Sequence, residues 1–125
     1  LQVNAYNDPH LQIASAALLT PQDVVLAISH TGASIDLPKC LEIAKANKAT
    51  IIAITSYMRS PIAKLADIVL CGIAKETSYR SEAMSSRLIH LAILDALYTG
   101  VMLRRFDTFY ANMGKVREAI AQEKL

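Results

Sequence analysis

The sequence predicts an α/β domain built on a doubly wound, flavodoxin-like parallel sheet. Three apolar runs of strand length support this prediction, at residues 23–28, 50–55 and 67–71. Each run is nearly continuous rather than alternating, which is typical of parallel strands that are covered on both faces. Helical patterns separate the runs, as the right-handed crossovers between parallel strands require.

The helices are predicted from apolar spacing and from capping residues. Residues 9–19 follow Asp8, whose side chain suits an N-cap, and they begin with a proline. Residues 35–47 join the first two strands and carry apolar residues at helical spacing. Ser60 is expected to cap a short helix. The remaining helices are predicted at residues 61–66, 81–105 and 107–122.

The chain opens on a weak strand pattern at residues 3–6. A doubly wound sheet usually begins with a central strand and its ligand loop, and no such strand precedes residues 3–6. We therefore expect residues 1–125 to form a single domain that is N-terminally incomplete, with its first strand missing.

Composition and charge exclude several classes of protein. The chain has 125 residues, of which 53% are apolar, which is enough for one compact core. The formal net charge is +2 and the basic residues are scattered, so the chain lacks the positive patch that nucleic acid requires. The apolar runs fall short of the roughly 20 residues that span a bilayer, and no charged-then-apolar leader opens the chain. We expect a cytoplasmic protein without a membrane segment.

The cysteines and histidines predict no metal site and no cofactor. Cys40 and Cys71 fall in apolar patterns, and we expect both to be buried free thiols in a reducing compartment. His10 and His90 show no metal-ligand spacing with each other or with the cysteines, so both are expected to be structural.

The helix predicted at residues 81–105 is apolar on more than one face. One face can cover the sheet, and the remainder needs another surface, either within the same domain or on a partner subunit. We expect the partner subunit, and therefore self-association.

Residues 29–34, Ser-His-Thr-Gly-Ala-Ser, form the strongest candidate site and are here called the anion loop. They lie between a predicted strand and a predicted helix, where free amide N–H groups and the helix dipole attract an anion. Ser29, Thr31 and Ser34 supply hydroxyl donors, and Gly32 lets the backbone approach closely. A phosphate group is the expected ligand, and the absence of a nearby lysine argues against a nucleotide-binding P-loop.

Several of these residues also have a plain structural interpretation. The alternative to a ligand contact for Thr31 or Ser34 is that its side chain caps the helix that follows. Ser56 is either a ligand contact or a cap of the short helix. His30 either contacts the ligand or is an exposed turn residue.

A third segment, residues 76–87, is expected at the same carboxyl edge of the sheet, where ligands bind in such folds. Arg80 either neutralises a phosphate or covers the surface, and Ser81 stands beside it at a helix start. Glu76 or His30 is the candidate base if the chain catalyses sugar isomerisation. The alternative is that Glu76 is a solvent-exposed loop residue without a catalytic role.

Taken in order, these motifs resemble the sugar isomerase (SIS) domain, and most closely the C-terminal effector domain of RpiR/MurR-type bacterial transcription regulators. The family loop more often reads Ser-x-Ser-Gly-x-Thr, so Thr31 and Ser34 exchange hydroxyl types but keep their donors. The resemblance covers most of residues 3–105 and is carried by residues 8–12, 18–21, 23–32, 52–56, 60–67 and 80–88.

The resemblance implies a five-stranded parallel sheet that binds a phosphorylated sugar or amino sugar through the anion loop and the segment around Ser81. It also implies a homodimer or homotetramer that reaches DNA only through an N-terminal helix-turn-helix domain, which is absent from these residues. The leading hypothesis is an effector-sensing domain. The alternatives are an aldose–ketose isomerase of sugar phosphates and an oligomerisation domain with a vestigial loop.

Overall fold

The computed structural model describes residues 2–75 and 84–122, and the chain divides into two compact units, Leu1–Leu91 and Ala92–Leu125. The predicted types and order of the main helices and strands are confirmed, and residues 81–83 of the predicted long helix lie outside the described residues. In chain order the elements are α1 (Pro9–Ala17), β1 (Val24–Ile28), α2 (Asp36–Ala46), β2 (Thr50–Thr55), α3 (Pro61–Leu65), β3 (Ile68–Cys71), α4 (Met84–Arg104) and α5 (Phe106–Gln122).

The strands form a parallel sheet in the order β1–β2–β3. Val24 pairs with Thr50 at the start of the β1–β2 ladder, and Ile52 pairs with Ile68 in the next one. The predicted α/β class with parallel strands is confirmed. The described residues contain three strands, where the family resemblance implied five.

Side-chain caps begin two of the helices, as predicted. The Asp8 carboxylate accepts a hydrogen bond from Leu11 N at 3.0 Å at the start of α1. The Ser60 hydroxyl accepts one from Ala63 N at 3.4 Å at the start of α3. These caps satisfy amide groups that have no partner inside their own helix.

The core lies between β2 and the helices on one face of the sheet. Leu41 and Ala44 of α2 are 0% exposed, as are Ile51 of β2 and Ile62 of α3. The spacing of Leu41 and Ala44 places both on one side of α2, so the apolar residues predicted at helical spacing form the buried face of this helix.

The opposite face of β1 is exposed. Val24, Leu26 and Ile28 are 59%, 41% and 46% exposed, whereas Ala27 on the inner face is 3% exposed. The expectation that both faces of this strand are buried is therefore wrong in the described structure. An apolar pattern shows which side chains favour burial, but a second layer of chain must cover them.

Residues 3–6 do not form the predicted strand. Val3 and Tyr6 are 82% and 42% exposed, and the Tyr6 carbonyl accepts a hydrogen bond from the Gln12 side chain at 2.9 Å. A strand pattern becomes a strand only where a neighbour's N–H and C=O groups complete the ladder. Residues 3–6 have no such ladder among the described residues.

The two free cysteines differ in exposure. Cys40 is buried as predicted, its thiol donates to the Gln12 carbonyl at 3.4 Å, and burial raises its pKa. Cys71 is exposed, so the prediction of a buried thiol is wrong at this position. Cys71 is the last residue of β3, which has a strand neighbour on one side only in the described sheet.

By length and composition alone, α4 could cross a membrane, which is weak evidence for a membrane span. It has 21 residues, a mean hydropathy of 1.3 over its most apolar stretch, and 11% of that stretch buried. His90 in α4 is 5% exposed and its ring lies 3.3 Å from the Ser56 hydroxyl. This part of the helix therefore packs against polar protein groups.

Replacing Asp67 with alanine is expected to lower the free energy of unfolding by about 1–3 kcal/mol. Asp67 Oδ2 accepts a hydrogen bond from Ile51 N at 2.8 Å, and Ile51 is fully buried, so alanine leaves a buried N–H group unpaired. Urea denaturation measures the change. Asp67→Asn, which keeps an oxygen acceptor, is the matched control. Equal losses of stability in the two variants would contradict this explanation.

Candidate functional site

Backbone hydrogen bonds bring three loops together at the carboxyl edge of the sheet. Ser29 N donates to a carbonyl near the end of β2, and Ser56 N donates to the His30 carbonyl, both at 3.0 Å. Gly72 N continues the ladder after β3, donating to the last carbonyl of β2 at 3.1 Å. The anion loop and the segment that follows β2 therefore lie side by side, at the edge where open α/β sheets bind ligands.

The anion loop turns at Gly32, which has a φ of +62°. This left-handed conformation favours glycine because a Cβ atom clashes with the backbone there. A Cβ at this position would also overlap the Ser60 hydroxyl and lie 3.0 Å from Ile62 Cγ1. The Gly32 carbonyl accepts a hydrogen bond from Ile62 N at 3.2 Å, so the turn is held tightly against the start of α3.

Two hydroxyls of the loop accept hydrogen bonds from the loop's own backbone. Ser29 Oγ accepts from Gly32 N at 3.1 Å, and Thr31 Oγ1 accepts from Ala33 N at 3.3 Å. A hydroxyl has one proton besides its lone pairs, so accepting leaves that proton available. Neither hydroxyl donates to another group in the part of the chain that the structure describes. Both can therefore donate to an anion.

The helix that follows the loop begins without a side-chain cap. Its first residue is Asp36, and Ile35 at the N-cap position supplies no side-chain hydrogen bond. The alternative that Thr31 or Ser34 caps this helix is therefore wrong. Ser34 is exposed. The N–H groups in the first turn of the 11-residue α2 therefore remain available as donors. The positive end of the helix dipole lies at the same end of α2, next to the anion loop.

Ser56 does not cap α3, since Ser60 has that role. It is 7% exposed, and its hydroxyl donates to the Gly72 carbonyl at 2.7 Å. Two histidine rings also reach this oxygen: His30 Nδ1 lies 3.0 Å away and His90 Nε2 lies 3.3 Å away. Ser56 therefore links the anion loop to α4.

His30 is half-buried rather than an exposed turn residue, and its ring packs edge-on against Tyr57 with the ring centres 5.6 Å apart. The His90 ring lies 6.4 Å from that of His30. Burial and the nearby charge of His30 lower the pKa of His90, while the Gly72 carbonyl opposes this shift. His90 was not predictable as part of the site, because no local spacing relates it to residues 29–34.

Three of the predicted site residues, Glu76, Arg80 and Ser81, lie outside the described residues. The structure brings together the anion loop, Ser56 and His90, and it places Ser34 at the exposed end of the loop. Within the described ranges, no three His, Cys, Asp or Glu side chains are grouped so that they could hold a metal ion.

Comparison with known proteins identifies the family. A family model for the SIS domain matches residues 1–100. The chain belongs to the SIS domain family. This match confirms the resemblance found in the motifs and the α/β fold class with a parallel sheet.

The curated relatives of this SIS domain include transcription regulators. The chain is 40% identical to the HTH-type transcriptional regulator RpiR of Escherichia coli (strain K12) over 115 residues, which is 92% of this chain and 39% of RpiR. It is 38% identical over 118 residues to an uncharacterized HTH-type transcriptional regulator of Thermotoga maritima, covering 94% of this chain and 42% of the relative. The chain thus spans about two fifths of the length of these relatives.

Solved structures show the same fold. The Vibrio vulnificus NanR protein complexed with ManNAc-6P superposes with a TM-score of 0.80 at 19% identity, over 94% of this SIS domain and 44% of that chain. The sugar isomerase domain of an RpiR transcription factor from Sphaerobacter thermophilus gives a TM-score of 0.73 at 20% identity, over 86% of this chain and 58% of that one.

Proposed function

We propose that this SIS domain is the phosphosugar-sensing effector and oligomerisation domain of an RpiR-type transcription regulator of sugar or amino-sugar metabolism. The observation that carries the proposal is the anion loop. It is a tight turn with two hydroxyl protons available, followed by a helix whose first amides have no side-chain cap. This arrangement suits the phosphate group of a sugar phosphate.

The relatives support the rest of the proposal. RpiR is named as an HTH-type transcriptional regulator, and NanR, which has the same fold, was solved with ManNAc-6P. In the proposed regulator, DNA is contacted by a helix-turn-helix domain outside residues 1–125, in the cytoplasm, and the SIS domain senses the effector.

The proposed contacts with the phosphosugar come from three segments. The phosphate is held by the hydroxyls and amides of the anion loop, and His30 and Ser56 border the sugar. The segment outside the described residues supplies a cation and a further hydroxyl. The complete proposed set is Ser29, His30, Thr31, Gly32, Ser34, Ser56, Arg80 and Ser81.

Self-association is proposed through the apolar surface of α4. Leu88 and Leu91 are 62% and 55% exposed, and contiguous apolar surface of this kind marks interaction sites. A sensor requires that the sugar phosphate bind one subunit arrangement more tightly than another. We therefore expect ligand to change the affinity or the geometry of assembly, which sedimentation velocity measures with and without ligand. Identical assembly in both conditions would contradict the sensor.

The test of function is an NMR titration of the natural full-length protein with hexose, pentose and N-acetylated amino-sugar phosphates, following binding and conversion together. Saturable binding with the sugar unchanged is the expected result and would identify the effector. The non-phosphorylated sugars are the matched controls and are expected not to bind. If no sugar phosphate bound, the result would favour the alternative of an oligomerisation domain with a vestigial loop.

An aldose–ketose isomerase is the second candidate, and the half-buried His30 in the anion loop favours it because an imidazole can move protons near neutral pH. Glu76 is the other candidate base. Interconversion of the sugar in the same titration would establish the enzyme. In that case Glu76→Gln is expected to lower turnover, and unchanged turnover would reject Glu76 as the base.

A further inference from the structure

The Ser56 hydroxyl has three partners within hydrogen-bonding distance, and its chemistry determines which of them donate. The Gly72 carbonyl, the nearest at 2.7 Å, can only accept, so the hydroxyl proton points to it. The two lone pairs of Ser56 Oγ must then accept from His30 Nδ1 at 3.0 Å and His90 Nε2 at 3.3 Å. Both nitrogens are therefore donors.

This assignment selects one tautomer for each ring. A neutral His30 carries its proton on Nδ1, which leaves Nε2 as a bare acceptor, and a protonated His30 gains a second donor at Nε2. The contact with Ser56 survives in both states. Nε2 of His30 has no hydrogen-bond partner in the described part of the chain, so it is the ring atom that remains available to a ligand.

The three side chains join separate parts of the chain. His30 belongs to the anion loop, Ser56 follows β2, and His90 is on α4, with Ser56 and His90 7% and 5% exposed. Burial and the charge of His30 lower the pKa of His90, which favours the neutral form of its ring. His90 is thus the buried donor of the group, and His30 is the member that belongs to the anion loop.

We propose that Ser56 and His90 are positioning residues that hold His30 in its Nδ1–H tautomer, so that Nε2 faces a bound sugar phosphate and the anion loop is connected to α4. The inference rests on the proposed function, because His30 is a ligand contact only if the loop binds a phosphosugar. Ser56 borders the sugar in the proposed set, and its hydroxyl acts there through His30, since its own proton and lone pairs are already engaged.

The test is ¹⁵N-edited NMR of the histidine rings in this chain, without ligand and with inorganic phosphate or N-acetylmannosamine 6-phosphate, for the wild type and four variants. His90→Leu removes the donor to Ser56, and His90→Gln restores an N–H donor at a similar reach. Ser56→Ala removes the shared oxygen. Asp95→Asn, which alters an exposed polar residue of α4, is the matched control, and thermal unfolding checks that each variant folds.

The wild type and Asp95→Asn are expected to show the Nδ1–H tautomer of His30. His90→Leu and Ser56→Ala are expected to show mixed tautomers and phosphosugar binding weakened by about 3- to 10-fold, the loss of one ordinary hydrogen bond. His90→Gln is expected to bind within about twofold of the wild type. An unchanged His30 tautomer in both His90→Leu and Ser56→Ala would overturn the proposal.

The two readouts separate this proposal from the proposed function. The tautomer of His30 is measured without ligand and decides whether Ser56 and His90 hold the ring. Failure of the wild type to bind any phosphosugar would overturn the proposed function and the ligand-facing role of Nε2 together.

Discussion

Replacing Gly32 with alanine is expected to lower the free energy of unfolding by about 2–5 kcal/mol and to abolish measurable phosphosugar binding. The left-handed backbone at φ +62° disfavours any residue with a Cβ atom. The new methyl group would also overlap the Ser60 side chain, which caps α3. The loop must then open, which separates Gly32 N from Ser29 Oγ and spreads the hydroxyl donors.

Urea denaturation and isothermal titration with the identified sugar phosphate measure the two effects of Gly32→Ala. Gly100→Ala is the matched control, because a Cβ built at Gly100 in α4 has no neighbour within 4 Å among the described residues besides its chain neighbours and the backbone of its own helix. Alanine there is expected to raise the free energy of unfolding by about 0.5–1 kcal/mol. If Gly32→Ala and Gly100→Ala had the same free energy of unfolding, Gly32 would not form a tight turn that excludes a Cβ atom.

Removing the hydroxyl of Thr31 or Ser29 is expected to weaken phosphosugar binding by about 10- to 150-fold for each hydroxyl, the loss of a hydrogen bond to a charged group. Both hydroxyls accept from the loop backbone and keep a proton for the ligand. Thr31→Val keeps the shape of the side chain, so it is the cleaner test. Ser29→Ala also removes the acceptor for Gly32 N, and its effect is expected to be larger.

Titration calorimetry with the sugar phosphate and with the corresponding free sugar measures these losses. Thr108→Val, at an exposed position of α5, is the matched control and is expected to bind as the wild type does. If Thr31→Val bound the sugar phosphate with unchanged affinity, Thr31 would have no part in holding the phosphate.

Local sequence chemistry was sufficient to predict most of the first unit. Asp8 and Ser60 are short polar residues before a proline, and each caps the helix that follows it because capping depends on atoms only a few residues apart. The continuous apolar run of β2 predicted a parallel strand that is buried on both faces, and Ile51, Ala53 and Ile54 are fully buried. The sequence also predicted that the backbone approaches closely at Gly32, whereas the left-handed conformation there is a finding of the structure.

Features that depend on distant partners were not predictable in the same way. The strand pattern at residues 3–6 lacks a described neighbour to pair with, and Cys71 is exposed at the end of a strand with one neighbour. Both predictions were made from the apolar pattern of the residues. Strand pairing and burial depend instead on which other part of the chain lies beside those residues.

The candidate site likewise has one part that the sequence predicted and one part that depends on the tertiary structure. The sequence by itself determined the anion loop, because hydroxyls, a glycine and a helix start within six consecutive residues are sufficient to favour an anion. Only the tertiary structure placed His30, Ser56 and His90 around one oxygen atom, since they are separated by 26 and 34 residues along the chain. Hydrogen bonds between side chains form over about 3 Å, and only the packing of the parallel strands and α4 brings residues so far apart in sequence within that distance.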